Sequence, residues 1–316
     1  MHLIIPFAAS HAESGLAALR QLELPHLDKL LRRLQALPPE QGDALSLSPP
    51  HERVHARALG LPVVDGQIPW AALLAQQQQP TLVESGQAWA FITLCHWHLA
   101  GQQVVMSPLP LPDLTEPEST ALLHVMQPYF AEDGIQLYQE QPGRWLAQGS
   151  MFADAACAAL DRVVGCSLES WIPSSAQASR LRRLQNEMQM LLYTHPVNDA
   201  RAQRGVVPVN SIWFSGTGAL PTAFSRVPVT AQPVVVDSLR QAALAGDWPA
   251  WRQAWQALDA QQIADLLQTA VSGQPVHISL CGEHSSQCWR NGALPMWHRL
   301  KQFFGHKPIS DVLSSL

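Results

Sequence analysis

Apolar positions along the chain change their period several times, and each change predicts an element. Leu3–Phe7 is an apolar run of the length of a buried strand. Apolar residues at 27, 30, 31, 34 and 37 then recur at helical spacing. Leu45–Pro50 reads as a short strand or loop, and His51–Leu59 as a short helix stopped by Gly60. Pro62–Trp70 reads as irregular, and the glutamine tract Gln76–Gln79 before Pro80 as a helix end or linker. Trp89–Leu99 and Gln102–Met106 predict two strands joined through Ala100-Gly101 as a hairpin. Thr115 and Glu118 stand at capping-box spacing ahead of a helix through Phe130, with Leu122, Leu123, Val125 and Met126 facing inward. Ile135–Tyr138 and Arg144–Ala147 give a second strand pair. Ser174 and Gln177 open a helix that lines up Leu181, Leu184, Met188 and Leu191. Strands follow at Ile212–Phe214, Val234–Val236 and Val276–Leu280, with Asp259 and Gln262 marking a helix start between the last two.

Hairpin, helix, hairpin, helix is the character of an α+β unit, which covers roughly 80–205. The flanking apolar strands suit parallel α/β structure. With 316 residues and 47% hydrophobic content, the chain is long enough for a large core in two lobes. A net charge of −5 gives no basic face, so neither nucleic acid nor an anionic membrane is an expected partner. Five cysteines (Cys95, Cys157, Cys166, Cys281 and Cys288) form no C-x-x-C, which argues against a disulfide framework or zinc knuckle and for a reducing compartment. The first residues lack a basic segment, and Pro6, His11 and Glu13 interrupt the apolar start. The expectation is a soluble cytoplasmic protein.

One run concentrates polar chemistry: His195–Gly218, reading HPVNDARAQRGVVPVNSIWFSGTG. His195, Asn198 and Arg201 are spaced i, i+3, i+6, close to one face of a helical turn. Imidazole, amide and guanidinium together suit a phosphate or carboxylate, with bidentate contact from the arginine. They suit equally a loop held by its own side-chain hydrogen bonds. Ser215-Gly216-Thr217-Gly218 after a strand is either an anion nest or a plain turn. His96 and His98, at i and i+2 on a strand, have the spacing of two metal ligands or of two hydrogen-bonded surface histidines. Glu283-His284 follows the last apolar strand, where ligands sit in α/β sheets, and is either a pair for metal binding or proton transfer or a plain polar loop. Trp248, Trp251 and Trp255 at helical spacing read as packing.

The run resembles a segment of the cofactor-independent phosphoglycerate mutases, especially their archaeal-type branch. It keeps His195, Pro196, Val197, Asn198, Arg201, Gly205, Pro208, Asn210, Ile212, Trp213, Gly216 and Gly218 at matching spacing. Leu24–Leu30 looks like a segment common in the alkaline phosphatase superfamily. Trp89–Met106, the helix after Thr115 and Arg144-Trp145 look like the inserted domain that holds the phosphoglycerate. Glu283-His284 stands where the family has Asp-His. The chain also resembles a divergent bacterial group described as regulators of pathogenicity factors, a description that names no chemistry. The resemblance implies an α/β fold: an alkaline-phosphatase-like, mostly parallel sheet core over 1–79 and 206–316, with an inserted α+β domain over 80–205.

Mutases of this family use two divalent metals, manganese or magnesium, and a serine that becomes phosphorylated. The chain departs from that pattern. Its first strand ends in Pro6-Phe7-Ala8 with no acid. Pro49–Arg53 stands ahead of Leu59-Gly60, with Ser48 as the nearest hydroxyl. Arg240 and Leu244 fall where the family has a metal-binding Asp and His. An arginine repels a cation and a leucine has no lone pair. Without metals, nothing activates the hydroxyl or steadies the transferring charge. The resemblance with these departures implies a non-catalytic, regulatory member needing no cofactor. It would bind a small phosphorylated or carboxylated metabolite through His195, Asn198, Arg201, Asn210, Trp213, Gly216 and Gly218. Further candidates are His51, Glu52, Glu283 and His284. The alternatives are a metal-dependent mutase or phosphohydrolase with relocated ligands, using manganese or magnesium, and a scaffold for a protein partner.

Overall fold

The computed structural model describes residues 1–78, 86–172, 178–224, 227–228, 232–291 and 308–316. In chain order the elements are β1 (His2–Ile5), α1 (Glu13–Leu19), α2 (Pro25–Leu31), β2 (Gln35–Ala36), β3 (Glu40–Gln41), α3 (Pro50–Ala58), α4 (Trp70–Gln78), β4 (Ala88–Cys95), β5 (Trp97–Ala100) and β6 (Gln103–Met106). Next come α5 (Glu116–Glu132), β7 (Gln136–Gln141), β8 (Arg144–Gln148), α6 (Leu160–Val163), α7 (Ser179–Tyr193), α8 (Pro196–Gln203) and β9 (Ser211–Ala219). The chain closes through β10 (Val234–Val235), α9 (Arg240–Leu244), α10 (Trp248–Leu258), α11 (Ala264–Val271), β11 (His277–Cys281), β12 (Ser285–Arg290) and α12 (Ile309–Ser314). No helix among the described residues is long and apolar enough to cross a membrane.

Two compact units form. The first joins 1–44, 49–60 and 226–316; the second joins 45–48 and 61–225. These limits differ from boundaries at 79/80 and 205/206. Residues 206–225 lie in the second unit because β9 pairs with β4 through seven registered positions. Helix α4 joins it because α4 packs on β9 and β4.

The first unit is built on a six-stranded sheet in the order β10-β1-β11-β12-β2, with β3 also paired to β12. It is mixed, whereas a mostly parallel core was expected. β1 runs parallel to β10 and β11, but β12 turns back on β11 and is antiparallel to β11, β2 and β3. Only Gly282–His284 separates β11 from β12, and so short a link joins strands only in antiparallel pairing.

Side-chain alternation gives this sheet two unlike faces. Leu3, Ile5, Ile278, Leu280 and Trp289 share a buried core with Leu27 and Leu30 of α2, Trp251 and Trp255 of α10, and Leu313 of α12. The tryptophan stripe is packing: Trp251 meets Trp248 and Trp255 edge to face, and its Nε1 donates to the Phe7 carbonyl at 2.9 Å. The other face carries His2, Ile4, His277, Ser279, Cys281, Ser286 and Cys288, by the same register. Helix α3 packs on β1, β11 and β12, bringing His55 toward His2.

Asp259 does not begin a helix. Residues 248–271 are helical throughout, with a wide turn at Asp259–Ile263. The buried Asp259 carboxylate instead accepts the His26 and Leu27 backbone N–H groups, capping α2 from a distant segment.

The second unit centres on the antiparallel sheet β7-β8-β4-β9. Ala90, Ile92 and Leu94 of β4, Trp145 of β8 and Phe214 of β9 face Leu122, Met126 and Phe130 of α5 and Leu181, Leu184 and Met188 of α7. The Thr115–Glu118 capping box forms as the sequence predicts. The Ser174–Gln177 helix start lies outside the described residues. The expected strand Trp89–Leu99 is two strands, β4 and β5, parted at His96, and β5 pairs with β6 as a separate ribbon.

The polar sheet face makes the first unit acid-sensitive. Burial, with His277, the Met1 amino group and His55 nearby, lowers His2 from its ordinary 6.5 to about 4. Burial and then His51 lower His55 to about 4. An unfolded chain therefore binds more protons than the folded one between these values. Stability is complete above the unfolded pKa and falls with pH through that window. Melting temperature measured at constant ionic strength drops between about pH 6.5 and pH 4. A His2→Asn/His55→Gln variant flattens that drop. A melting temperature that rises on acidification contradicts the reading.

Candidate functional site

The run His195–Gly218 folds as a helix, a loop and a strand, and its polar atoms meet protein. His195 caps α8, its Nδ1 accepting the Val197 N–H at 3.2 Å; burial lowers its pKa. Asn198 donates to the carbonyls of Leu192 and Val209, both at 2.7 Å, and its Oδ1 accepts the Val209 N–H at 2.8 Å. Asn210 grips one residue of β5: its Oδ1 accepts the Trp97 N–H at 2.7 Å and its Nδ2 donates to the Trp97 carbonyl at 2.8 Å. Trp213 is buried, with Nε1 donating to the Ala158 carbonyl at 2.9 Å.

Arg201 is fully buried. Its Nε donates to the Val207 carbonyl at 2.9 Å, one terminal nitrogen to the Pro112 carbonyl at 2.9 Å, and the other to the Asp113 carbonyl and Glu118 Oε2, each at 3.3 Å. Arg204 reaches the second Glu118 oxygen at 2.6 Å. Burial acts to raise the Glu118 pKa, but the Thr115 backbone and hydroxyl with Arg201 and Arg204 outweigh it and hold the carboxyl below its usual range. All three guanidinium nitrogens of Arg201 thus serve the chain's own fold.

The Ser215–Gly218 segment lies within β9 as a bulge. Phe91 faces Ser215 while Trp89 faces Gly218, so β9 holds one extra residue. Gly216 has φ +61, and a Cβ there would stand 2.8 Å from the Phe91 ring. Gly218 has φ +133, and a Cβ there would stand 3.1 Å from the Gln67 carbonyl oxygen. Both positions need glycine for backbone and space. The Thr217 hydroxyl contacts the Gly66 and Ala155 carbonyls. These contacts are those of a strand bulge.

A second group gathers after β1 and β11, at the carboxyl ends of parallel strands. Ser10 Oγ donates to Glu283 Oε1 at 2.6 Å, and the His11 N–H reaches the same oxygen at 3.2 Å. The rings of His11 and His284 meet edge to face at 5.2 Å, and His284 Nε2 lies 4.0 Å from Glu283 Oε2. His51, in the first turn of α3, packs its ring 5.4 Å from Phe7. Phe7 itself is left-handed, at φ 55. Arg53 is ion-paired with Glu40 at 3.2 Å, and Arg57 pairs with the same carboxylate. A Cβ on Gly42 would strike the Arg53 guanidinium and the His284 carbonyl, so the β3 loop lies directly against this group.

Of the further candidates, Glu283 and His284 come together here, with His51 against Phe7 after β1. Glu52 is half-buried in the first turn of α3. Sequence reasoning missed Ser10, His11, Glu40 and Arg53. Ser10 and His11 were findable, since they follow the first strand directly and such loops hold ligands in α/β sheets. Glu40 and Arg53 meet only through folding.

At the positions where the resemblance implies metal ligands, Pro6-Phe7-Ala8 follows β1, and Arg240 and Leu244 lie on α9. Among the described residues no three His, Cys, Asp or Glu side chains are grouped to hold a cation. Ser48 is buried, its hydroxyl accepting the Gly66 N–H at 2.8 Å and its own N–H donating to Asp65 at the same distance. All five cysteines are free thiols, and burial pushes those of Cys95, Cys157 and Cys281 up, away from thiolate chemistry.

The pairing of Arg201 predicts a large stability effect. Arg201→Ala removes a fully buried guanidinium from the Val207, Pro112 and Asp113 carbonyls and the part-buried Glu118 carboxylate, and costs about 3–5 kcal/mol in urea unfolding. A loss below about 1 kcal/mol, the worth of an exposed pair, contradicts this assignment.

No family model matches the chain. A probable 2,3-bisphosphoglycerate-independent phosphoglycerate mutase of Geobacter sulfurreducens is 28% identical over 122 residues, 37% of this chain and 30% of that protein. The 2,3-bisphosphoglycerate-independent phosphoglycerate mutase of Methanosarcina barkeri is 24% identical over 110 residues, 34% of this chain and 28% of that protein. The matched region therefore spans less than a third of these relatives' length. Among solved structures, the cofactor-independent phosphoglycerate mutase of Thermoplasma acidophilum aligns over 100% of this chain and 99% of its own at 13% identity, with a TM-score of 0.38. The PH0037 protein of Pyrococcus horikoshii aligns over 92% and 87% at 12% identity, with a TM-score of 0.39. The chain is distantly similar to cofactor-independent phosphoglycerate mutases.

Proposed function

We propose that this chain is a non-catalytic, phosphoglycerate-mutase-like protein with a regulatory role. It binds a small phosphorylated or carboxylated metabolite without running two-metal phosphoryl transfer. Contact with the metabolite falls to the imidazoles at the strand ends, His11, His51 and His284, beside Glu283. The run 195–218 acts as the framework of the second unit. The observation that carries this reading is the engagement of Asn198, Arg201 and Asn210 with the chain's own backbone. A ligand would have to break those bonds to use the same atoms, at a cost of about 1–3 kcal/mol for each buried group left unpaired. The strand-end group is in part exposed, with His11 open to solvent and His284 about a third exposed.

A protein partner is the second reading. Helix α7 favours it by holding Met190 and Tyr193, one turn apart, at 74% and 85% exposure.

Thermal-shift titration with 2- and 3-phosphoglycerate and phosphoenolpyruvate, each with and without manganese, separates the readings. A ligand at one hundred times its dissociation constant stabilises by about 2.7 kcal/mol. The expected result is a shift that ignores manganese and is lost in a His11→Ala/His284→Ala variant. A shift that requires manganese points to an active enzyme. One that survives the double variant returns the site to 195–218. No shift with any of these acids removes the metabolite and leaves the partner surface on α7.

A further inference from the structure

We propose that His96 and His98 form an open site for one divalent transition cation of the copper, nickel or zinc class, held in place by the run 195–218. His96 lies between β4 and β5 and His98 within β5. The His96 Nδ1 is 2.9 Å from the Pro208 carbonyl oxygen. A carbonyl can only accept, so the proton sits on Nδ1 and the neutral ring presents a lone pair at Nε2. The His98 Nδ1 is 3.1 Å from the Ser107 hydroxyl, which can accept in the same way. A ring fixed through one nitrogen by a carbonyl or hydroxyl, with the other nitrogen open, is the outer-shell arrangement of a metal-binding histidine.

The two rings are stacked, 13° apart with centroids 6.1 Å from each other, so their in-plane lone pairs meet at one ion when the exposed His98 ring turns toward His96. With metal–nitrogen bonds of about 2.0–2.1 Å, two imidazoles sharing one ion have centroids no more than about 6.5 Å apart. The observed separation lies inside that limit. Imidazole nitrogen suits copper, nickel and zinc better than the hard cations magnesium and manganese.

The backbone between the two rings is rigidly held. Trp97 is gripped on both its N–H and its carbonyl by Asn210. The Asn210 N–H donates to the Cys95 carbonyl at 3.1 Å. His98 pairs across the ribbon with Val105, which bridges to Ser167. Pro208 and Asn210, both in the polar run, are thus positioning residues for the pair. Among the described residues no third His, Cys, Asp or Glu completes the set. The remaining coordination positions therefore belong to water or to a donor brought by a second molecule.

The test is copper(II) titration of the full chain, stripped with chelator, followed by calorimetry and electron paramagnetic resonance. The expected result is one tightest ion per chain with nitrogen hyperfine structure from two imidazoles. His98→Ala, at an exposed position, and His96→Gln, which can still donate to Pro208, each weaken that site by about tenfold or more, a loss that outer-partner changes alone already reach. Asn210→Ser weakens it less while leaving two nitrogens in the spectrum. Undiminished binding in the His96→Gln/His98→Ala variant would place the ion on others of the 13 histidines and overturn the proposal. Absence of a stoichiometric site in the wild-type chain would overturn it equally.

Discussion

A guanidinium removed from water must be met on every side, and in the second unit that requirement organises three separate segments. Arg201 leaves α8 and draws in the loop at Pro112 and Asp113, the first turn of α5 at Glu118, and its own following loop at Val207. Asn198 and Asn210 repeat the device with neutral amides, tying α7, the loop ahead of β9 and β5 by backbone hydrogen bonds. An interior assembled this way tolerates little change, because each polar atom left alone carries a desolvation penalty with no compensation.

That account separates two properties that a polar motif suggests together. Residue types suited to grip a phosphate are the same types that grip backbone carbonyls and N–H groups, since both offer oxygen lone pairs or need them. In this chain the inward use prevails at Arg201, Asn198 and Asn210. Polar side chains with solvent access collect after β1 and β11 instead, where strand carboxyl ends converge. The first unit carries its own contrast between an apolar sheet face packed on helices and a face of histidine, serine and cysteine beneath α3.

Much of the fold was legible in the sequence. The pattern of apolar positions gave β1, α5, the β7–β8 pair and the inner face of α7, because burial dictates both pattern and element, whereas the helical period read from Leu27 through Leu37 ends at Leu31, where α2 gives way to β2. The Thr115–Glu118 box was readable since its partners are three residues apart. What depends on distant partners was not readable. The capping spacing at Asp259 looked local, yet its carboxylate serves α2, more than 200 residues earlier in the chain. The strand Ile212–Phe214 was assigned with the flanking core, but its pairing with β4 is a long-range choice that no local period encodes. The break at His96 has the same origin. Of the candidate site, Glu283 and His284 could be placed at a strand end from sequence alone. Their neighbours Ser10 and His11 come from the other end of the chain.

The central claim is that the run 195–218 is an internal framework whose charges are matched within the chain. A double-mutant cycle on Arg201 and Glu118 tests it most directly, with Arg201→Met, Glu118→Gln and the pair compared by urea unfolding. The account predicts a coupling energy of about 1–3 kcal/mol, since Glu118→Gln leaves the fully buried Arg201 guanidinium without its counter-charge. Additive losses, with no coupling beyond about 0.5 kcal/mol, would contradict it.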